Sequence, residues 1–254
     1  MCIRQMRRLS AGLNGSETMP HLDSIAVSPG DITSAVGSLT RTSSGHLLTA
    51  HLEGRYLKLS GELGGETAHV EGLIEPPLGE VVTVRGIWTG FEIVEARVSE
   101  GEVGVEPPRP IDPRAFSEVS GTATRSDILR AEVLDMCDAL RGRSLVSFVA
   151  VPGPRGWFGL ASAVDTEDVL VHLGPLLSPH LLVTASEWTL EQLQQVESLI
   201  SEDENVRNFG TYWDTSGRYR AECLLHHLTP ELAASLDAFP AGIAHVHVWL
   251  RPAA

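Results

Sequence analysis

Residues 79–98 read GEVVTVRGIWTGFEIVEARV. Val82 and Val84 alternate with Thr83 and Arg85, and Val94, Ala96 and Val98 alternate with Ile93, Glu95 and Arg97. Successive side chains of a strand point to opposite faces, so this period of two predicts half-buried strands. Gly90 separates the two runs, at a turn flanked by Trp88 and Phe91. Working outward, Leu48, Ala50 and Leu52 share one face of the run 46–53, opposite Thr49, His51 and Glu53. Ala68, Val70, Gly72 and Ile74 share another face in the run Thr67–Ile74. Short strands at this density, punctuated by glycine, predict a small β-barrel over residues 31–100, because closure removes unpaired edges.

The stretch SSGHLLTAHLEG (43–54), followed by GEVVTVRGIWTGFEIVEARV, resembles an OB-fold barrel. Its first part is similar to the amino-terminal OB domain of the exonuclease VII large subunit. The resemblance covers roughly a quarter of the chain and implies single-stranded nucleic-acid binding, with no catalytic residue. Charge opposes that implication. The 254-residue chain carries 33 acidic and 19 basic residues, a formal charge of −14, and residues 31–105 hold five basic against eleven acidic side chains. A single-strand groove needs positive charge and stacking aromatics, for which Tyr56, Lys58, Arg85 and Trp88 are the candidates.

Gly101 to Arg114 reads GEVGVEPPRPIDPR, a proline-rich linker over 101–114. Residues 115–254 then read as α+β. Ser126 opens a helix to about Leu140, and strands are expected at Leu145–Val151, Trp157–Val164 and Val169–Leu173. From about 180 to 252 the order is β-α-β-β-α-β. Strand Leu181–Ala185 leads to a helix opened by a Thr189/Gln192 capping box. Strands Val206–Trp213 and Arg218–Leu225, a helix begun by Thr229-Pro230 and a strand Ala244–Leu250 complete it. That order predicts a ferredoxin-like core. The fold class is therefore α+β, a barrel followed by an α+β domain. Residues 1–30 contain arginines but no apolar segment of signal-peptide type and read as a flexible tail.

Chemistry is sparse. The three cysteines, Cys2, Cys137 and Cys223, form no CxxC motif and read as free buried thiols of a reducing cytoplasm. Neither a G-x-S-x-G elbow nor a P-loop nor a dinucleotide fingerprint occurs, and no cofactor is expected. Nor is there an apolar run long enough to span a bilayer. The last strand, AHVHVWL (244–250), is the richest candidate. Strict alternation would bury Ala244, Val246, Val248 and Leu250 and leave His245, His247 and Trp249 on an open sheet face, with Trp213 as a further member.

Three readings stay open. The open face holds a protein partner or a second copy of the chain, which makes the protein a non-catalytic binding or scaffold protein. Alternatively the barrel binds single-stranded nucleic acid. Alternatively the protein is a metal-dependent enzyme centred on His245 and His247, with His226, His227 or Glu222 as further ligands.

Overall fold

The computed structural model describes residues 21–43, 45–50, 67–100, 122–214 and 217–253. The chain is α+β and forms two compact units that are not contiguous in sequence. One comprises 1–19, 109–193 and 213–219; the other comprises 20–108, 194–212 and 220–254. Residues 220–254 fall in the same unit as the barrel strands. The linker at 101–114 lies outside the described residues.

In the barrel unit, strands β1 (Ile32–Thr42), β2 (Gly45–Ala50), β3 (Thr67–Val70), β4 (Val81–Trp88) and β5 (Glu92–Glu100) pair in the order β1-β2-β3-β5-β4. Strand β4 returns to β1 through seven residue pairs, from Ile32↔Ile87 to Ser38↔Val81, which closes the ring. The β3–β5 pairing is parallel and the other pairings in the ring are antiparallel. Leu39, Leu48, Val70, Val84, Trp88 and Ile93 fill its interior.

The alternation in β5 changes phase where simple period two would not. Arg85 pairs with Arg97, but Ile87 pairs with Val94, so β5 carries an extra residue at this point. Glu95 sits there with a φ of 53°. A bulge of this kind re-aims the neighbouring side chains. Ile93 is therefore buried and Val94 is not, the reverse of the face read from the sequence, while Ala96 returns inward. Gly86 faces the bulge. A Cβ there would lie 2.6 Å from both Ile93 Cγ2 and Val94 O, so no larger residue fits without moving backbone.

Residues 21–30 do not form a tail. Leu22–Ser24 make a 3-10 turn, Val27 is buried in the barrel core, and its N–H donates to Leu228 O. The carboxy terminus closes the barrel as well. A two-residue strand, β12 (Arg251–Pro252), pairs with β1. Trp249 lies in the barrel core, where its Nε1 donates to Val36 O at 2.8 Å.

The rest of the fold repeats one plan twice. Helix α1 (Arg125–Ile128) is followed by α2 (Ala131–Leu140), then β6 (Leu145–Gly153), β7 (Gly156–Ala163), α3 (Thr166–Leu177) and β8 (Leu181–Ala185). Helix α4 (Leu190–Ser201), β9 (Val206–Trp213), β10 (Tyr219–Leu225), α5 (Pro230–Asp237) and β11 (Ala244–Val248) run through helix, hairpin, helix and strand again. Each copy makes its own three-stranded sheet, β6-β7-β8 and β11-β10-β9. In each, the last strand pairs in parallel with the second strand of the hairpin.

The expected β-α-β-β-α-β order from 181 to 248 is present, but not as the single sheet of a ferredoxin-like core. Strand β8 pairs with β7, and β9, β10 and β11 form a separate sheet. Parallel strands need a long crossover, and α3 and α5 supply one each. Val169–Leu173 is not a strand but the middle of α3. Its Val and Leu residues suit either structure. The Asp165 side chain decides the matter by accepting from the N–H groups of Glu167 and Asp168, and Val169, Leu173 and Leu177 then fall on one buried helical face. The helix expected from Ser126 to Leu140 is split into α1 and α2, with Thr124 and Asp127 forming the capping box. Among the described residues, no helix is long and apolar enough to cross a membrane.

Candidate functional site

Two places in the barrel unit concentrate chemistry. The first is one face of the β9–β10–β11 sheet. In the parallel β10–β11 ladder Glu222 lies opposite His245 and Leu224 opposite His247, so these four side chains share a face, as does Arg220 two residues before Glu222. Tyr212, on β9, joins them: its hydroxyl is 2.7 Å from His245 Nδ1. The His245 and His247 rings lie 4.1 Å apart, and His247 Nε2 is 3.5 Å from Glu222 Oε1. Arg220, Glu222 and His247 are 3 %, 4 % and 9 % exposed. This face is therefore not open to a partner, as alternation alone suggests. It is a buried polar network.

Trp249 is not a member of it. Strand β11 ends at Val248, so alternation does not extend to Trp249, which is 1 % exposed inside the barrel. Trp213 comes directly after Tyr212, so the pleat sends it to the other face. There it packs against Tyr219, with ring centroids 5.3 Å apart.

The metal reading of His245 and His247 is not supported by this geometry. The two ring centroids lie 4.1 Å apart with the planes tilted by 36°, and the Tyr212 hydroxyl sits 2.7 Å from His245 Nδ1. Among the described residues, the one set of three ligand atoms within 4.8 Å of one another is His21, Asp23 and Asp237, all exposed.

His226 and His227 lie elsewhere, at the end of β10 beside the barrel wall. His226 sits 5.6 Å from the Trp88 ring and 5.0 Å from Trp249, and its Nδ1 is 3.1 Å from His227 Nδ1. Burial and then the neighbouring His227 push the His226 pKa down to about 4, and burial lowers that of His227. The pair is neutral at pH 7. Cys137 and Cys223 are buried and their thiols are pushed up by burial to about 11 and about 12, so neither is a thiolate nucleophile.

The second place is the barrel rim. A cavity of about 240 Å³ is lined by His69, Val70, Glu71, Phe91 and Glu92. Phe91 is 71 % exposed, at the tip of the turn between β4 and β5. This turn is braced from both sides. Thr89 N–H donates to Glu92 O, and Thr89 Oγ1 accepts from Glu92 N–H at 3.2 Å. Gly30 N–H donates to Trp88 O, and Trp88 N–H donates to Asp31 O. Gly90, at φ 107°, makes the turn possible.

The nucleic-acid groove expected from sequence does not assemble among the described residues. Tyr56 and Lys58 lie outside them. Trp88 is buried between the barrel core and the histidine pair, with no face left for a base. Arg85 is exposed on β4, opposite Arg97.

Sequence reading misses Tyr212, Arg220, His69, Glu71 and Glu92. Two charged residues in the otherwise apolar run YRAECLL are the available signal for Arg220 and Glu222. The chain matches no family model and no curated protein.

Proposed function

We propose that the protein is a non-catalytic binding protein that acts through protein–protein contacts, with an OB-like barrel as its recognition module. The ring of five strands, ordered β1-β2-β3-β5-β4 and closed between β1 and β4, supports the OB-like assignment. One observation carries the functional reading: Phe91, a large aromatic side chain, stands in solvent on a braced turn beside a cleft. Exposed aromatics held in place beforehand are favourable interface anchors, because little side-chain or loop freedom is lost on binding. Glu71 and Glu92 line that cleft, which argues against a phosphate backbone as ligand. The free buried thiols Cys137 and Cys223 fit action in a reducing cytoplasm.

The test is photo-crosslinking from benzoylphenylalanine placed at position 91 in cells, with Val171, also exposed, as the control position. Reproducible protein adducts from position 91 but not from 171 are expected. Adducts to nucleic acid alone, or none, would overturn the reading.

A further inference from the structure

We infer that the segment recognised at the barrel rim is cationic: a stretch of a partner protein that lays an apolar side chain against Phe91 and arginine or lysine against Glu71 and Glu92. This rests on the binding reading above and adds the chemistry of the partner. Besides Phe91, the residues lining the cleft include two that carry carboxylates, Glu71 and Glu92, with His69 the remaining polar side chain, while the Val70 side chain belongs to the barrel core. None of the five lining residues is arginine or lysine. Glu71 and Glu92 are held on backbone that does not drift. Glu71 N–H donates to Ile93 O, Ala96 N–H donates to Glu71 O, and Glu92 is clasped by Thr89. Glu92 is also the β5 partner of His69 in the short β3–β5 ladder, so the backbone that carries both glutamates is fixed by strand pairing.

The surrounding field has the same sign. Asp31 lies in the segment that braces the turn. An acidic or phosphorylated partner would meet repulsion here, and a neutral apolar one would leave both carboxylates partly desolvated and uncompensated. A guanidinium or ammonium beside the apolar contact answers both.

The experiment selects short random displayed peptides on the immobilised full-length protein. Wild type, Phe91→Ala and the double variant Glu71→Lys/Glu92→Lys are then compared for binding of the selected peptides by fluorescence anisotropy at low and raised salt. Phe91 and Glu71 are exposed and Glu92 is half-buried, so thermal unfolding should match wild type in all three. The expected peptides are rich in arginine or lysine next to a bulky apolar residue. Phe91→Ala should weaken them about thirtyfold. The charge-reversed variant should weaken them about tenfold, and raised salt should weaken wild type but not that variant.

Peptides that need Phe91 but show no basic enrichment, and that bind the charge-reversed variant equally well, would overturn the cationic inference and leave the binding reading standing. Failure to select any peptide that depends on Phe91 would overturn both.

Discussion

The two copies of the helix–hairpin–helix–strand plan share a backbone and differ in what they bury. The β7–β8 ladder pairs Gly159 with Leu181, Leu160 with Leu182, Ala161 with Val183, Ser162 with Thr184 and Ala163 with Ala185. The β10–β11 ladder pairs Ala221 with Ala244, Glu222 with His245, Cys223 with Val246, Leu224 with His247 and Leu225 with Val248. The first contains no charged residue. The second places a carboxylate and two imidazoles on one face, with Arg220 and Tyr212 beside them. The first copy shows that this architecture closes around uncharged residues. The polar set in the second is thus not required by the backbone plan. Burying such groups costs stability unless they satisfy one another; the Tyr212 hydroxyl reaches His245 Nδ1 at hydrogen-bond distance, and His247 Nε2 stands 3.5 Å from Glu222 Oε1.

The largest expected effect breaks that pairing. Glu222→Leu should destabilise the protein by about 3–5 kcal/mol in urea unfolding, because it leaves its buried partners uncompensated. Replacing Arg220, Glu222, His245 and His247 together by apolar residues of similar volume should restore most of the loss. If the single variant is neutral, the two sheets are energetically alike and the contrast between them fails.

Acid should separate the copies next. His226 has a folded pKa of about 4 against 6.5 for the free side chain. The unfolded chain therefore binds the proton first as pH falls. Stability is full above pH 6.5 and declines towards pH 4, where the contribution levels off after a loss of roughly 3 kcal/mol. Hydrogen exchange should show this decline at β10 and the barrel and not at β7 and β8, whose ladder contains no histidine. His226→Gln should flatten it.

A smaller effect tests where the copies agree. Helix α3 is capped by Asp165 and α5 by Thr229, each accepting from backbone N–H groups of the first turn. Alanine at either position should cost about 1 kcal/mol in thermal unfolding, and equal costs would mark the cap as part of the shared plan. The smallest concerns the surface. Val171→Ser on α3 should change stability by less than about 0.5 kcal/mol, since the residue is exposed.

The legible part of the sequence is local. The Thr189/Gln192 box and the Thr229-Pro230 start are read directly, because a cap is chemistry between residues three apart. Val169–Leu173 reads as a strand although it is helical, because β-branched content and helical periodicity compete over so short a run. Partners of strands not joined by a tight turn are not legible: the order β-α-β-β-α-β says nothing about which strand β8 will pair with. The candidate sites suffer from the same limit. Alternation places His245 and His247 together correctly, but their burial depends on residues distant in sequence. Phe91 is visible beside its turn, while Glu71 reaches the same cleft only through the β3–β5 pairing.

The bond from Trp249 Nε1 to Val36 O joins residues 213 positions apart. On a ribosome that separation is a delay. At about 5–20 residues per second, roughly 10 to 40 seconds pass between synthesis of β1 and arrival of the indole that fills its core. Through that interval the strands of the barrel exist without Trp249, Leu250 and the β12 pairing. The barrel made first is the barrel finished last, and a chain cut short before Trp249 presents a gap in its core where a complete chain presents none.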